Sequence, residues 1–487
     1  MSVKTLEKLS LESIAKGMSL WCNSSIVDLN RFKYVLGPFD GLNSGLIQEL
    51  LDILCEKKQI RVSHFHVLLH SNIKHVDLSA CSSLISDQII SAVVFRCKKI
   101  TQLFLKNCSR LSTKALKKIP SGLTRLQSID LSGCLACTDE VLNLLGTLCP
   151  ELTVLRVESC TLLTDAGLAG LCADVKNPKC RRLKEVNLSS TGVTSYGIQK
   201  LLNSQQEIQK MSLAMTNSVE EFDISVPSIK LSSLDLSYTF ITDTCMKILC
   251  KSCPLLCDLS LNCCTSLTVI SLEFIASLAH LKVLRIGDNK AMKFHPHLAQ
   301  FLVKSGNSLK VLDISGMDRV DTEILGVCCK SLETLNMADC TKVTGSYIHV
   351  STADESKWVT LAQACPKLSI LNLHNCHFLH HKSLAEHLLA ILSNSTELQE
   401  LDLSGIEKLS DEIILQLIQS SGLLLLRSVN LSMCSEISVE SVELLIKTCK
   451  GLSQLNLSHC RNISLCDAEN LKKVARDSKS TPKIAWI

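Results

Sequence analysis

The sequence predicts an α/β solenoid, a row of short parallel strands on a concave face backed by helices on a convex face. Three observations predict it. A motif of the form L-x-x-L-x-L-x-x-C recurs along most of the chain at intervals of 23 to 36 residues. Apolar residues make up 46% of the 487 residues but aromatics only 4%, so any core is aliphatic. The chain carries 9 Pro, 19 Gly and no visible linker, which favours one continuous architecture over separate domains.

The motif starts at Ile73, Ile100, Leu126, Leu152, Leu183, Ile208, Leu231, Leu256, Leu281, Leu309, Leu332, Leu368, Leu398, Leu426 and Leu452. This period and pattern are the leucine-rich-repeat signature, one strand and one return helix per unit, stacked into a horseshoe. No unit buries its apolar face alone, and stacking joins the faces into one core. In LTVLRVESCTLLTDAGLAGLCADV, Leu155 and Val157 alternate as a half-buried strand and Leu163 enters the turn. Thr164 is a helix N-cap candidate, and Leu168 and Leu171 share the core-facing side of the helix. Thr138-Asp139, Thr242-Asp243 and Ser410-Asp411 repeat the arrangement, where an aspartate is favoured by the helix dipole.

The 26 cysteines follow the same register. The ninth motif position is Cys81, Cys108, Cys134, Cys160, Cys264, Cys340, Cys376, Cys434 or Cys460, and elsewhere Thr191, Thr216, Thr239, Asn289, Met317 or Ile406. A second slot, three residues before a repeat start, holds Cys97, Cys149, Cys180, Cys253, Cys329, Cys365 and Cys449. A small, weakly hydrogen-bonding residue suits both slots, so these read as core thiols kept reduced. The run CKSCPLLCDLSLNCC is a superficial zinc candidate, but Cys250 falls on the helix, Cys257 on the strand, and Cys253 and Cys264 in the two slots. HNCHFLHH, with His374, Cys376, His377, His380 and His381, reads as a loop and helix start. No metal and no cofactor is expected.

A net charge of +4 with no basic run argues against nucleic acid as a partner. The first residues lack the apolar stretch of a secretory signal, and no window approaches the roughly 18 apolar residues of a membrane span. The expectation is a soluble intracellular protein, cytoplasmic with the nucleus open to it, and no membrane partner. No phosphate loop, nucleophile elbow or metal motif supports an enzyme.

The position between the core leucines of each strand faces the concave side, and it is Asp or Asn in ten repeats of fifteen. The residue two further on is Ser in eight. LDLS and LNLS therefore read as repeat consensus, and departures from them mark candidate partner contacts: Phe104, Lys106, Arg156, Glu158, Met215, Tyr238 and Arg285. The 36-residue unit from Leu332 to Leu368, with Tyr347 and Trp358, offers a second surface.

These units resemble the cysteine-containing leucine-rich repeats of F-box/LRR substrate receptors of ubiquitin ligases, over roughly residues 73 to 465. The resemblance implies a protein substrate or degron bound on the concave face and an adaptor bound elsewhere. An F-box would begin with Leu-Pro and end near a Trp; residues 42 to 69 have neither. The first helix is more similar to an elongin-C-binding BC-box: Thr5, Leu6, Leu9, Ser10 and Ile14 follow it, with Ser10 where that box has Cys. Leu42, Leu46 and Leu50 are similar to a cullin box, with Asn43 in place of Pro. The implied partners are elongin B/C or a Skp-type adaptor, and a cullin.

Leu11, Ile14, Ala15 and Met18 form an apolar stripe that either docks a partner or caps the open end of the solenoid. The expected organisation is an N-terminal cap and docking segment at 1–72, repeats at 73–470 and a tail at 471–487. In the tail, Trp486 points to a cap. The alternative function is a scaffold or inhibitor with no ligase adaptor.

Overall fold

Each of the fifteen motif starts leads into a three-residue strand in the computed structural model. The structure describes residues 5–21, 39–172, 182–216, 219–220, 229–292, 295–318, 320–341, 343–344, 348–351, 356–359, 361–376, 384–392, 397–419, 423–477 and 482–486. Two compact units divide the chain, Met1–Asp235 and Leu236–Ile487. Both have the leucine-rich-repeat fold.

In the first unit, strands His75–Asp77, Gln102–Phe104, Ser128–Asp130, Val154–Arg156, Glu185–Asn187, Lys210–Ser212 and Ser233–Asp235 pair in that order, all parallel and without a register shift. In the second, the order runs Asp258–Ser260, Val283–Arg285, Val311–Asp313, Thr334–Asn336, Ile370–Asn372, Glu400–Asp402, Ser428–Asn430 and Gln454–Asn456. A ninth strand, Lys483–Ala485, comes from the tail and pairs with Gln454–Asn456. Beside it the Trp486 indole donates to the Ile463 carbonyl at 2.9 Å, which ties the tail to the last repeat.

The middle residue of each repeat strand is apolar and buried, from Val76 and Leu103 in the first unit to Val429 and Leu455 in the second. Each such side chain contributes about 1.5 to 3 kcal/mol on leaving water. Return helices such as Asp87–Arg96, Thr113–Gly122 and Asp139–Leu148 back the sheet and make its parallel order possible. Neighbouring helices come close enough that a Cβ on Gly146 would collide with the Gly170 backbone. Thr164 caps its helix as expected, accepting from Ala166 N–H at 3.3 Å. That helix is shorter than its leucines suggest: it ends at Ala169, and buried Leu171 lies beyond it.

The cysteine slots have a common physical cause. Cys134, Cys160, Cys264 and Cys434 donate from sulfur to the Leu105, Leu131, Leu236 and Leu403 carbonyls of the preceding repeat at 3.1 to 3.3 Å. Where the slot is not cysteine, Thr216 reaches the Leu188 carbonyl at 3.3 Å and Asn289 reaches the Leu261 carbonyl at 2.8 Å. In these repeats the position supplies a compact donor to a carbonyl that no strand partner takes, while Met317 and Ile406 fill it by packing alone. In the second slot Cys449 donates to the Leu423 carbonyl at 3.1 Å, and Gln205 does the same to Leu171 at 2.6 Å. The described cysteines are all free thiols, and burial pushes Cys97, Cys108 and Cys340 up to about 12.

The aspartates at helix starts do more than meet a dipole. Asp139 accepts from the Thr164 N–H at 2.8 Å and its hydroxyl at 2.7 Å, so each acid caps the turn of the next repeat. Asp87 treats Ser112, Asp165 treats Thr194 and Asp243 treats Thr268 the same way.

The long unit after Leu332 departs from strand and helix. Val320–Asp321 pairs with Val343–Thr344, and Ile348–Ser351 forms an antiparallel ladder with Ser356–Val359. Tyr347 and the side chain of Trp358 lie outside the described residues, as do Cys180, His377, His380 and His381.

Candidate interaction surfaces

The N-terminal helix Leu6–Trp21 starts at Thr5, whose hydroxyl accepts from Lys8 N–H at 3.3 Å. Its stripe of Leu11, Ala15 and Met18 is buried and Ile14 half-buried, packed against the helix Ser44–Glu56. Of the two roles open to this stripe, docking and capping, packing inside the protein takes it. The rest of the BC-box-like set faces outward: Leu6 is 81% exposed, Leu9 is 49% exposed, and Thr5 and Ser10 are exposed. Ser10 turns its hydroxyl back to the Leu6 carbonyl at 2.8 Å, the local bond a serine makes within a helix.

The cullin-box-like residues split. Asn43 is the N-cap of Ser44–Glu56, accepting from Leu46 N–H at 3.0 Å, which accounts for Asn at that position. Leu42 and Leu46 are half-buried, whereas Leu50 is fully buried and carries packing. The same helix closes the first strand. Gln48 accepts from Asp77 N–H at 2.8 Å and donates to Asp77 C=O at 2.9 Å, the pair of bonds a neighbouring strand would make. Ser44 accepts from Lys74 N–H at 2.9 Å beside it.

On the open face of the sheet the Asp/Asn ladder has a backbone role. Asp77, Asp130, Asn187, Asp313, Asn336, Asn372, Asp402, Asn430 and Asn456 each accept from the N–H two residues on, at 2.8 to 3.2 Å. Apart from that of Asp77, these turns lead into a left-handed residue: Ser190, Asp339, Asn375, Met433 and His459 have φ of 55°, 55°, 47°, 61° and 61°, and the others reach a glycine. LDLS and LNLS thus encode the exit from the strand.

Several expected contact residues already have partners. Arg156 binds one Glu185 oxygen through Nε at 2.9 Å and a terminal nitrogen at 2.6 Å. Glu158 accepts from Asn187 at 3.5 Å. Arg285 bridges Asp258 and Ser260, both at 3.0 Å. Both arginines are half-exposed and their ion pairs are worth about 0 to 1 kcal/mol, weak enough for a partner carboxylate to replace. Phe104 is half-buried and meets the His75 ring edge-on at 5.3 Å, while Lys106 is exposed. Phe104 and Arg156 lie in one row of the first unit with Asp130 between them.

Tyr238 and Met215 are half-exposed, but they occupy the left-handed turn position and not the strand. In the second unit Tyr238 contacts the Cys263 thiol, and that hydrogen bond pushes its phenol up. The sequence carried no signal for Gln48 as a cap or for Glu185 and Asp258 as ion-pair partners, because each requires knowing which residues stacking brings together. Cys257 immediately precedes its strand instead of lying on it, while Cys250 is helical as expected. Among the described residues no group of three His, Cys, Asp or Glu could hold a metal ion, and no helix is long and apolar enough to cross a membrane.

No family model matches the chain. F-box/LRR-repeat protein 4 of Bos taurus is 28% identical over 253 residues, covering 47% of this chain and 39% of the relative. DNA repair protein RAD7 of Saccharomyces cerevisiae is 25% identical over 135 residues, 27% of this chain and 23% of that protein. The matches thus span well under half the length of these relatives. Among solved structures, yeast Rad7 in its complex with Elc1 matches with TM-score 0.49 at 16% identity, covering 95% of this chain and 96% of that one. TLR13 in its complex with ssRNA13 gives TM-score 0.44 at 17% identity, covering 81% and 60%. The chain has the leucine-rich-repeat fold with cysteine at recurrent repeat positions, and it is similar in part to an F-box/LRR-repeat protein.

Proposed function

We propose that this protein is a non-catalytic substrate receptor of a cullin-RING ubiquitin ligase. An elongin-type adaptor takes the outer face of the first helix, and the open sheet face takes a protein substrate. The observation that carries the reading is the two-faced first helix: Leu11, Ala15 and Met18 hold it to the protein while Leu6 and Leu9 remain in water. An exposed pair of leucines on an anchored helix is a preformed ridge for a partner's groove. Thr5 and Ser10 flank that ridge, Ile14 lies at its margin, and Leu42 and Leu46 offer a second contact for a cullin. Phe104, Lys106, Arg156 and Glu158 of the first unit, and Tyr238 and Arg285 of the second, are the proposed substrate contacts. The receptor contributes proximity and orientation, and an associated enzyme performs the transfer.

The test is binding of the purified chain to elongin B/C and, separately, to a Skp-type adaptor, with Leu6→Asp as the variant. Leu6 packs on nothing that folding requires, so the variant should fold as the parent does. Burying a leucine in a partner is worth about 1.5 to 3 kcal/mol, so elongin affinity should fall at least about tenfold. A second reading, an interaction scaffold without an adaptor, is favoured by the end-closing role of Gln48 and Ser44. Failure of both adaptors to bind the folded chain would select it.

A further inference from the structure

The first residue of each strand changes character along the second unit. Strand register sets Val283, Val311, Thr334 and Ile370 side by side on four neighbouring strands. Each is half-buried and precedes a buried leucine, so its side chain lies on the open face of the sheet. The same position is Asp258 on the strand before this row, and Glu400, Ser428 and Gln454 on the strands after it. Polar and charged residues pair in the same register there, so strand pairing does not require the apolar ones. A contiguous row of three aliphatic side chains and a threonine methyl on an open face marks a contact surface.

The strand-entry edge of this row is basic. Lys282, Lys310 and Glu333 continue the parallel ladder one residue before the strands, and Lys367 precedes the strand of Ile370. All three lysines are exposed. Lys310 pairs with Glu333 at 2.6 Å, and at that exposure the pair is weak. Three lysines against one glutamate leave the edge positive.

We propose that the Val283–Ile370 row is the docking site for an amphipathic helix of a protein partner, laid across the strands with its acidic flank over the lysine edge. The proposal rests on the reading of the open face as the substrate surface and is independent of the adaptor. Spacing selects a helix over an extended segment. Neighbouring strands lie about 4.8 Å apart, so the four side chains span about 14 Å. On a helix, residues i, i+3, i+7 and i+10 share one face and span about 15 Å. Alternate side chains of an extended chain are about 6.7 Å apart, so four of them span about 20 Å and fall out of step with the row. The helix sets its apolar stripe on the valines and isoleucine, and the lysines choose the side on which its carboxylates lie.

The test is selection of phage-displayed random peptides of about sixteen residues on the full chain, followed by affinity measurement on Val311→Asp and Lys282→Glu. Val311→Asp should fold, because Asp258 and Glu400 already occupy this position on other strands. The expected peptides carry apolar residues at i, i+3, i+7 and i+10 with Asp or Glu along one flank, and gain helical circular dichroism on binding. They should bind Val311→Asp at least about tenfold more weakly. Lys282→Glu should weaken them about two- to fivefold, a loss that added salt reduces. No enrichment, peptides without that period or without acidic flanks, or equal affinity for the parent and Val311→Asp would overturn the proposal. Elongin B/C binding is read separately through Leu6→Asp, so peptides selected by a chain that binds no adaptor would sink the adaptor reading alone.

Discussion

Replacing Gln48 by alanine probes the closure of the first unit. In a parallel strand alternate residues direct N–H and C=O to opposite neighbours; those of Asp77 face the side that has no strand, and the Gln48 amide meets both, at 2.8 and 2.9 Å. Each bond contributes about 0.5 to 1.5 kcal/mol net, so alanine should raise the free energy of this edge by about 1 to 3 kcal/mol. That corresponds to amide exchange about 5- to 150-fold faster at Asp77. Hydrogen exchange read by mass spectrometry on peptides spanning 75–79 gives the local value directly, without assuming two-state unfolding of a chain this long. Gln48→Glu keeps an acceptor for the N–H but sets a carboxylate oxygen against the Asp77 carbonyl, so it should lose as much as alanine or more. Exchange at Asp77 unchanged in both variants would refute the strand-mimic reasoning.

Two further outcomes are expected. Asp165→Ala removes both bonds to Thr194, at 2.7 and 2.6 Å, and should cost about 2 kcal/mol locally, with Asp165→Asn costing less because it keeps one acceptor; exchange at the Thr194 amide measures both. Acid should loosen the protein in two steps. Burial holds His64, His66 and His70 below the ordinary histidine value, so the unfolded chain binds more protons, and stability there is full above about pH 6.5 and falls as pH drops below it. The Ser112 hydroxyl holds Asp87 below the ordinary carboxylate value, so its contribution is full above about pH 3.9 and lost on further acidification. Exchange at residues 62–70 should therefore quicken at higher pH than exchange at Ser112, and the reverse order would contradict both assignments.

Much of the fold was legible because a repeat writes each structural requirement many times. The leucines that mark a strand in one unit mark it in fifteen, and every repeat strand lies where the motif places it. Even the cysteine slots were visible as positions, although their cause was not. That cause is a carbonyl contributed by another repeat, about 26 to 31 residues away in the chain. The Asp and Asn of LDLS and LNLS were read as solvated consensus, and their acceptor role depends on the turn that follows the strand.

The surfaces were less legible for the same reason. A helical stripe identifies which residues share a face, and Leu11, Ala15 and Met18 do, but burial of that face was decided by the helix Ser44–Glu56 against which it packs. Charge type marked Arg156 and Arg285 as departures from the ladder, while only strand register supplied Glu185 and Asp258 as their partners. Sequence by itself determined the repeat, its strands and its aliphatic core, since those follow from local periodicity and the need to hide apolar surface. Tertiary structure decided which leucines remain in water and which charges are already neutralised, because each depends on distances between residues that the chain order keeps apart.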